Sequence, residues 1–122
     1  MKVAGLGFRQ NATVESLRAL LSLIEAQSGP VSALATLPAK TCAPALRALA
    51  AERGLPVHAV AVHGVVTPTQ SARIMALHGT GSVAEAAALV CAGKGARLVM
   101  ARVASGDGLA TCAVAISEGE AE

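Results

Sequence analysis

A glycine-bearing loop is the segment of this chain best suited to chemistry. Gly79-Thr80-Gly81-Ser82 precedes an alanine-rich run from Val83 to Val90, and Glu85 follows Ser82 by three residues. Two glycines allow backbone conformations with positive φ, and the Ser82 and Glu85 pair matches a capping box at the start of a helix. The unpaired N–H groups of a helix N-terminus bind anions, and each contact contributes a free energy of roughly 0.3–2 kcal/mol. The pattern therefore predicts a binding site for a carboxylate or phosphate. The same pattern is also found in turns that have only a structural role.

Cations and hydroxyls follow the first two predicted strands. Gly7 ends the first strand and Arg9 follows it, while Thr36 ends the second strand and Lys40 follows it. Ligands of open α/β sheets gather outside the carboxyl ends of parallel strands, so we expect these residues to line one rim. The Gly79 to Ser82 loop could reach the same side. Such a rim offers positive charge and hydrogen-bond donors with few acids or bases, which favours the binding of an anion.

Each of these candidates also has a structural interpretation. Glu85 is a candidate general acid or base, but its place at the third helical position favours a capping role. For Lys40, a binding role and a solvated loop position both stay open, and Arg9 could simply occupy the surface. Thr36 and Thr111 could satisfy local backbone groups, as hydroxyls often do at strand ends.

Several common site types lack support in the sequence. The three histidines form no helical i, i+4 pair and adjoin no carboxylate, so no metal site is predicted and no cofactor is expected. No serine lies in a Gly-x-Ser-x-Gly context, and the Gly79 loop lacks the lysine of a Walker loop. Gly5-x-Gly7 does not complete a dinucleotide-binding fingerprint, because position 10 is Gln. Serine hydrolase, NTPase and dinucleotide-binding functions are therefore disfavoured.

Composition narrows the classes of partner. The chain is 53% hydrophobic but only 1% aromatic, with Phe8 as its one ring, which disfavours stacking of nucleic-acid bases. The net charge is +2, but three of the eight acids lie in the last five residues, so the rest carries +5. The ten cations form no run typical of a nucleic-acid or membrane patch. We expect no nucleic acid and no membrane as partners, and we predict that residues 118–122 form an acidic disordered tail.

The cysteines and the N-terminal residues favour a cytoplasmic location. Cys42, Cys91 and Cys112 are odd in number, include no C-x-x-C pair and lie among aliphatic residues. They are predicted to be reduced and buried as small hydrophobic side chains rather than to act as nucleophiles. The apolar run before Arg9 is too short for a signal sequence or a membrane span.

The hydrophobic periodicity predicts one α/β domain over residues 1–117. Two successive strand-helix units require parallel strands with helices on the sheet, while the last two strands are joined by only five residues and must form an antiparallel hairpin. We therefore predict three layers around a mixed, mostly parallel sheet of about five strands. The predicted strands cover residues 2–7, 31–36, 55–61, 96–103 and 109–116, and the predicted helices start near residues 14, 43, 69 and 83.

Four segments of the chain resemble a known family. They are Val3 to Arg9, Leu34 to Thr36 with Lys40, Gly79 to Leu89 and Ala110 to Ala115. Together and in this order they resemble the CobE family, which is similar to the carboxy-terminal domain of CbiG in cobalamin biosynthesis. The resemblance covers nearly the whole chain, and the glycine loop with its helix is its most specific part.

The resemblance implies a role in building the corrin ring, on a tetrapyrrole intermediate with many acetate and propionate carboxylates. CbiG-type proteins open the lactone of a cobalt-precorrin and release acetaldehyde, but this chain matches only their carboxy-terminal domain. In small CobE-like proteins a binding or delivery role is as plausible as hydrolysis, and other corrin-pathway enzymes are further candidate partners. The motif residues carried over are Gly7, Arg9, Thr36, Lys40, Gly79, Thr80, Gly81, Ser82, Glu85 and Thr111.

Overall fold

A five-stranded sheet forms the centre of the molecule. The computed structural model describes residues 1–117, and the predicted tail lies outside them. The strands are β1 (Lys2–Phe8), β2 (Ala33–Thr36), β3 (Val57–Ala59), β4 (Ala96–Ala104) and β5 (Ala110–Ser117). Their order across the sheet is β3-β2-β1-β5-β4. β1, β2 and β3 are parallel, and β5 is antiparallel to both of its neighbours, so β4 runs in the same direction as β1.

Four α-helices connect or flank these strands. They are α1 (Val14–Ser28), α2 (Pro44–Arg53), α3 (Ala72–His78) and α4 (Val83–Ala92), with a single 3-10 turn at Pro38–Lys40. The hydroxyls of Thr13, Ser71 and Ser82 cap α1, α3 and α4 by accepting hydrogen bonds from backbone N–H groups of the first turn. α2 begins at a proline and ends before Gly54, as its sequence predicted.

Aliphatic side chains fill the space on both faces of the sheet. On one face, leucines of α1 and α2 such as Leu17 and Leu49 pack against Leu6 and Leu34. On the other face, the alanines of α4 pack against smaller residues such as Val3 and Ala33. The buried members of the cluster on the α4 face are all alanine and valine, so the helix lies close to the strands. The predicted mixed α/β sheet with a terminal antiparallel hairpin is thus confirmed.

Some boundaries differ from their predictions. β3 has only three residues and forms one edge of the sheet, where its side chains are mostly exposed. α3 starts at Ala72 rather than near Thr69, because the backbone N–H of Thr69 donates to Glu85 and Ser71 caps the helix. β2 starts two residues later than predicted.

The cysteine prediction holds only in part. Cys112 is buried, and burial raises the pKa of its thiol to about 12, while Cys91 is half-buried. Cys42 is exposed, against the prediction of burial, because it lies in the turn that precedes α2. All three thiols are free.

No single helix within residues 1–117 has the length and apolar character needed to cross a membrane. Only α3 and α4 taken together would reach that length and hydropathy, and they are bent by 56° at the loop between them.

Candidate functional site

A cavity of about 510 Å³ opens at the carboxyl ends of β1 and β2. Its wall is formed by the residues after β1, the 3-10 turn after β2, the first turn of α4 and the loop between β4 and β5. Seven of the predicted site residues line it, namely Gly7, Arg9, Thr36, Lys40, Gly81, Ser82 and Thr111. The structure thus places most of the candidate residues at one site.

Among the described residues, four cationic side chains belong to the cavity wall. They are Arg9, Lys40, Arg73 and Arg102, and His78 lies with them. No aspartate or glutamate is among the described residues that line the wall. The two ion pairs found within residues 1–117 engage Arg18 and Arg53, which lie outside the cavity. The described lining of the cavity therefore has a net positive charge.

The ring of Phe8 supports the side chain of Lys40. The Lys40 Nζ atom lies 5.2 Å from the centroid of the Phe8 ring, within the range of a cation–π contact. Both residues line the cavity. The one phenylalanine in the sequence thus holds the ammonium group at the cavity wall.

The N-terminus of α4 forms a further part of the wall. Ser82 is buried, and its Oγ accepts a hydrogen bond from the Glu85 N–H at 3.3 Å. This is the serine half of the predicted capping box. The first N–H groups of a helix have no partner within the helix, so the start of α4 presents donors at the same wall as the cations.

Three predicted site residues do not line the cavity. Gly79 ends α3 with a φ of 72°, and its carbonyl accepts from the Gly64 N–H at 2.9 Å. Thr80 is fully buried and donates from its hydroxyl to the Val65 carbonyl at 2.6 Å. Glu85 is fully buried as well and bonds to other backbone segments. In this structure these residues hold the loops around the site.

Thr36 and Thr111 contact the end of β1. The Thr36 hydroxyl donates to the Leu6 carbonyl at 2.8 Å, and the Thr111 hydroxyl donates to the Gly7 carbonyl at 3.3 Å. Both line the cavity while satisfying backbone groups. Their hydroxyls therefore connect β2 and β5 to the end of β1 at the rim of the cavity.

Other residues of the wall were missed by sequence reasoning. Arg73, His78 and Arg102 contribute charge or polarity, and Gly108 and Leu109 contribute backbone from the hairpin loop. Arg102 lies near the carboxyl end of β4, which runs in the same direction as β1. The same rule that selected Arg9 and Lys40 would have selected Arg102 if the direction of β4 relative to β1 had been known.

Asp107 fixes the loop between β4 and β5 against the start of α1. Its Oδ1 accepts from the Ser105 hydroxyl at 2.6 Å and from the Leu109 N–H at 3.0 Å, and its Oδ2 accepts from the Ser16 hydroxyl. The hydrogen bonds from Ser105, Ser16 and Leu109, in that order of size, lower the pKa of Asp107 to about 2. The loop that carries Gly108 and Leu109 is thus held at the cavity.

The hydrogen bonds of Asp107 predict that the stability of the loop between β4 and β5 depends on pH. Because the folded pKa of Asp107 is depressed, its contribution is complete above the ordinary value of 3.8 and is lost as pH falls through about 2. We expect amide exchange at Leu109, corrected for the intrinsic pH effect, to be constant from pH 7 to about 4 and to accelerate below it. In the Asp107→Asn variant this step should be absent. The same step in both proteins would assign it to another group.

The described residues show no metal cluster. Within residues 1–117, no group of three or more His, Cys, Asp or Glu side chains is arranged to hold a metal ion.

Comparisons with known proteins agree with one another. The model of the family described as cobalamin synthesis G C-terminus matches residues 2–115. The crystal structure of CobE, a protein from the cobalamin (vitamin B12) biosynthetic pathway, is 35% identical with a TM-score of 0.80, over 94% of this chain and 89% of that one. Cobalamin biosynthesis protein chiG from Agrobacterium tumefaciens is 33% identical with a TM-score of 0.73, over 97% and 99% of the two chains.

A more distant structure shares the fold alone. A cobalamin biosynthesis protein G homologue from Sulfolobus solfataricus is 18% identical with a TM-score of 0.73, and the match covers 96% of this chain but 37% of that one. No curated protein sequence matches the chain.

Proposed function

The chain belongs to the cobalamin synthesis G carboxy-terminal family, and on that premise we propose that it binds a tetrapyrrole or corrin precursor through the carboxylates of that ring. The single observation that supports this most is the cavity whose wall carries Arg9, Lys40, Arg73 and Arg102 without an acidic side chain among its described residues. A ring with several acetate and propionate arms needs separated cations, and the wall distributes them over four segments of the chain.

The volume and the lining of the cavity are suited to a small-molecule ligand with anionic groups. A volume of about 510 Å³ lies within the range of small-molecule sites, which is roughly 300–1,000 Å³. Leu37, Ile74 and Val83 add apolar surface between the cations. Such a floor can accept the face of a macrocycle while the charged groups contact its rim.

An absorbance titration tests the proposal. Hydrogenobyrinic acid, a corrin with free carboxylates, should change its visible spectrum on binding at tens of micromolar protein and ligand. A spectrum that does not change at these concentrations would contradict binding. If acetaldehyde is released from a lactone-bearing cobalt-precorrin, the protein is a hydrolase instead, with a hydroxyl of the cavity wall positioning water. Co-elution with corrin methyltransferases without binding of the ring would favour a non-catalytic partner role.

Lys40 offers a direct test of the site. Replacing Lys40 with alanine removes one cation from the wall, and the loss of a hydrogen bond to a charged group should weaken binding by about tenfold. The melting temperature should stay close to that of the wild type, because Lys40 ends a short 3-10 turn and its half-buried side chain is not part of either hydrophobic cluster. The affinity is measured by the same titration.

Lys94→Ala is the matched control. Lys94 is exposed in the turn after α4 and does not line the cavity, so its removal changes the net charge equally. Its affinity should stay within about twofold of the wild type, since surface charges at a distance are screened. Equal losses in the two variants would show that net charge, rather than Lys40, is responsible.

The proposal includes a cytoplasmic location. Three free thiols within the described residues agree with a reducing compartment.

A further inference from the structure

Glu85 is a fully buried carboxyl group next to the cavity but not in its wall. Its exposed fraction is 0%, and it lies in the first turn of α4. Burying such a group is costly unless both oxygens have hydrogen-bond donors. Here Oε1 accepts from the Thr69 N–H at 2.9 Å, and Oε2 accepts from the Thr69 hydroxyl at 2.8 Å and from the Arg102 N–H at 2.8 Å. The three donors satisfy both oxygens.

The donors belong to two segments that carry cavity cations. Arg102 lies where the pairing of β4 with β5 shifts register, between Met100 and Val103. A bulge of this kind redirects a side chain and leaves a backbone group outside the ladder. The bond from the Arg102 N–H to Glu85 fixes the backbone at the residue whose side chain lines the cavity.

The second segment leads into α3. Thr69 is three residues before Ala72, where α3 begins, and Arg73 on that helix lines the cavity. The Ser71 N–H donates to the Gly81 carbonyl at 2.9 Å, and a Cβ on Gly81 would lie 2.3 Å from the Thr69 carbonyl oxygen. The backbone before α3 therefore packs directly on the loop before α4. The hydrogen bonds from Thr69 to Glu85 connect this backbone to α4.

We infer that Glu85 is a positioning residue, which sets the separation of the Arg73 and Arg102 cations by holding the backbone that carries each of them. This inference rests on the proposed function and extends it by naming the group that organises two sides of the anion site. Glu85 itself does not line the cavity, so it acts through Thr69 and Arg102 rather than by contact with the ligand.

Amide exchange tests the positioning without any ligand. In the wild-type chain, the Arg102 and Thr69 amides should be protected at least about a hundredfold relative to an unstructured chain. In Glu85→Gln the amide nitrogen cannot accept a hydrogen bond, so at least one of the Arg102 and Thr69 amides should exchange at least about tenfold faster. The Leu20 amide in α1 should not change. An unprotected Arg102 amide in the wild type, or an equal acceleration at Leu20, would overturn the inference.

A double-mutant cycle tests the route to the ligand. In a titration with hydrogenobyrinic acid, Glu85→Gln should weaken binding by about fivefold, but by less than about twofold when Arg102 is already alanine. Glu15→Gln, at an exposed carboxyl group in the first turn of α1, is the control and should bind as the wild type does. An equal loss in both backgrounds would contradict the route through Arg102. A wild type that does not bind would contradict the proposed function, and amide exchange would still decide the role of Glu85.

Discussion

Replacing Gly5 with alanine should destabilise the protein by about 3 kcal/mol or more. Gly5 lies buried in the middle of β1, under α4. A Cβ at this position would lie 2.0 Å from the Ala84 carbonyl oxygen and 2.5 Å from the Ala88 nitrogen. These two atoms are the acceptor and donor of one helical i to i+4 pair, so the methyl group would displace backbone rather than a flexible side chain.

The Gly5→Ala substitution should also disturb the cavity. α4 can accommodate the methyl group only by moving away from the sheet, and its first turn carries Ser82 and Val83 of the cavity wall. We therefore expect Gly5→Ala to lower both the urea midpoint and the affinity for the corrin probe.

Gly106→Ala is the matched control for this prediction. A Cβ at Gly106, in the hairpin loop, would meet no heavy atom within 4 Å. Its free energy of unfolding should stay within about 0.5 kcal/mol of the wild type. If urea unfolding gives the same midpoint for Gly5→Ala and Gly106→Ala, the close packing of α4 on β1 is wrong.

Removing Arg73 and Arg102 together should weaken binding of hydrogenobyrinic acid by about a hundredfold, while leaving the free protein at least as stable. Hydrogen bonds to charged groups contribute about 1.5–3 kcal/mol each, and two of them at the lower limit correspond to that factor. The stability should not fall, because the four cavity cations repel one another in the absence of a bound anion. Opposite effects on affinity and stability are characteristic of a binding site and not of a structural ion pair.

The matched control removes two cations elsewhere. Arg47 and Lys94 are exposed and do not line the cavity, so the Arg47→Ala, Lys94→Ala double variant has the same net charge. Its affinity should stay within about threefold of the wild type at 0.15 M salt, where the screening length is about 8 Å. Raising the salt should reduce wild-type affinity more than that of the Arg73 and Arg102 variant. The prediction fails if both double variants lose affinity equally.

Local sequence determined where the helices begin and end and which strands deliver residues to the rim of the cavity. The caps at Thr13 and Ser82 and the end of α2 before Gly54 follow from short-range hydrogen bonding and backbone preference, which a few adjacent residues decide. Hydrophobic periodicity identified the strand-helix units that require β1 and β2 to be parallel. That rule brought Arg9 and Lys40 to one edge, and both line the cavity.

Tertiary structure alone decided which further residues complete the site. β5 lies between β1 and β4, so β4 runs parallel to β1 and its end brings Arg102 to the cavity. Strand order depends on pairing between residues far apart in sequence, which no local pattern encodes. Glu85 shows the same limit: its spacing from Ser82 predicted a capping box, but its oxygens bond to Thr69 and Arg102, because packing buries them where those donors lie.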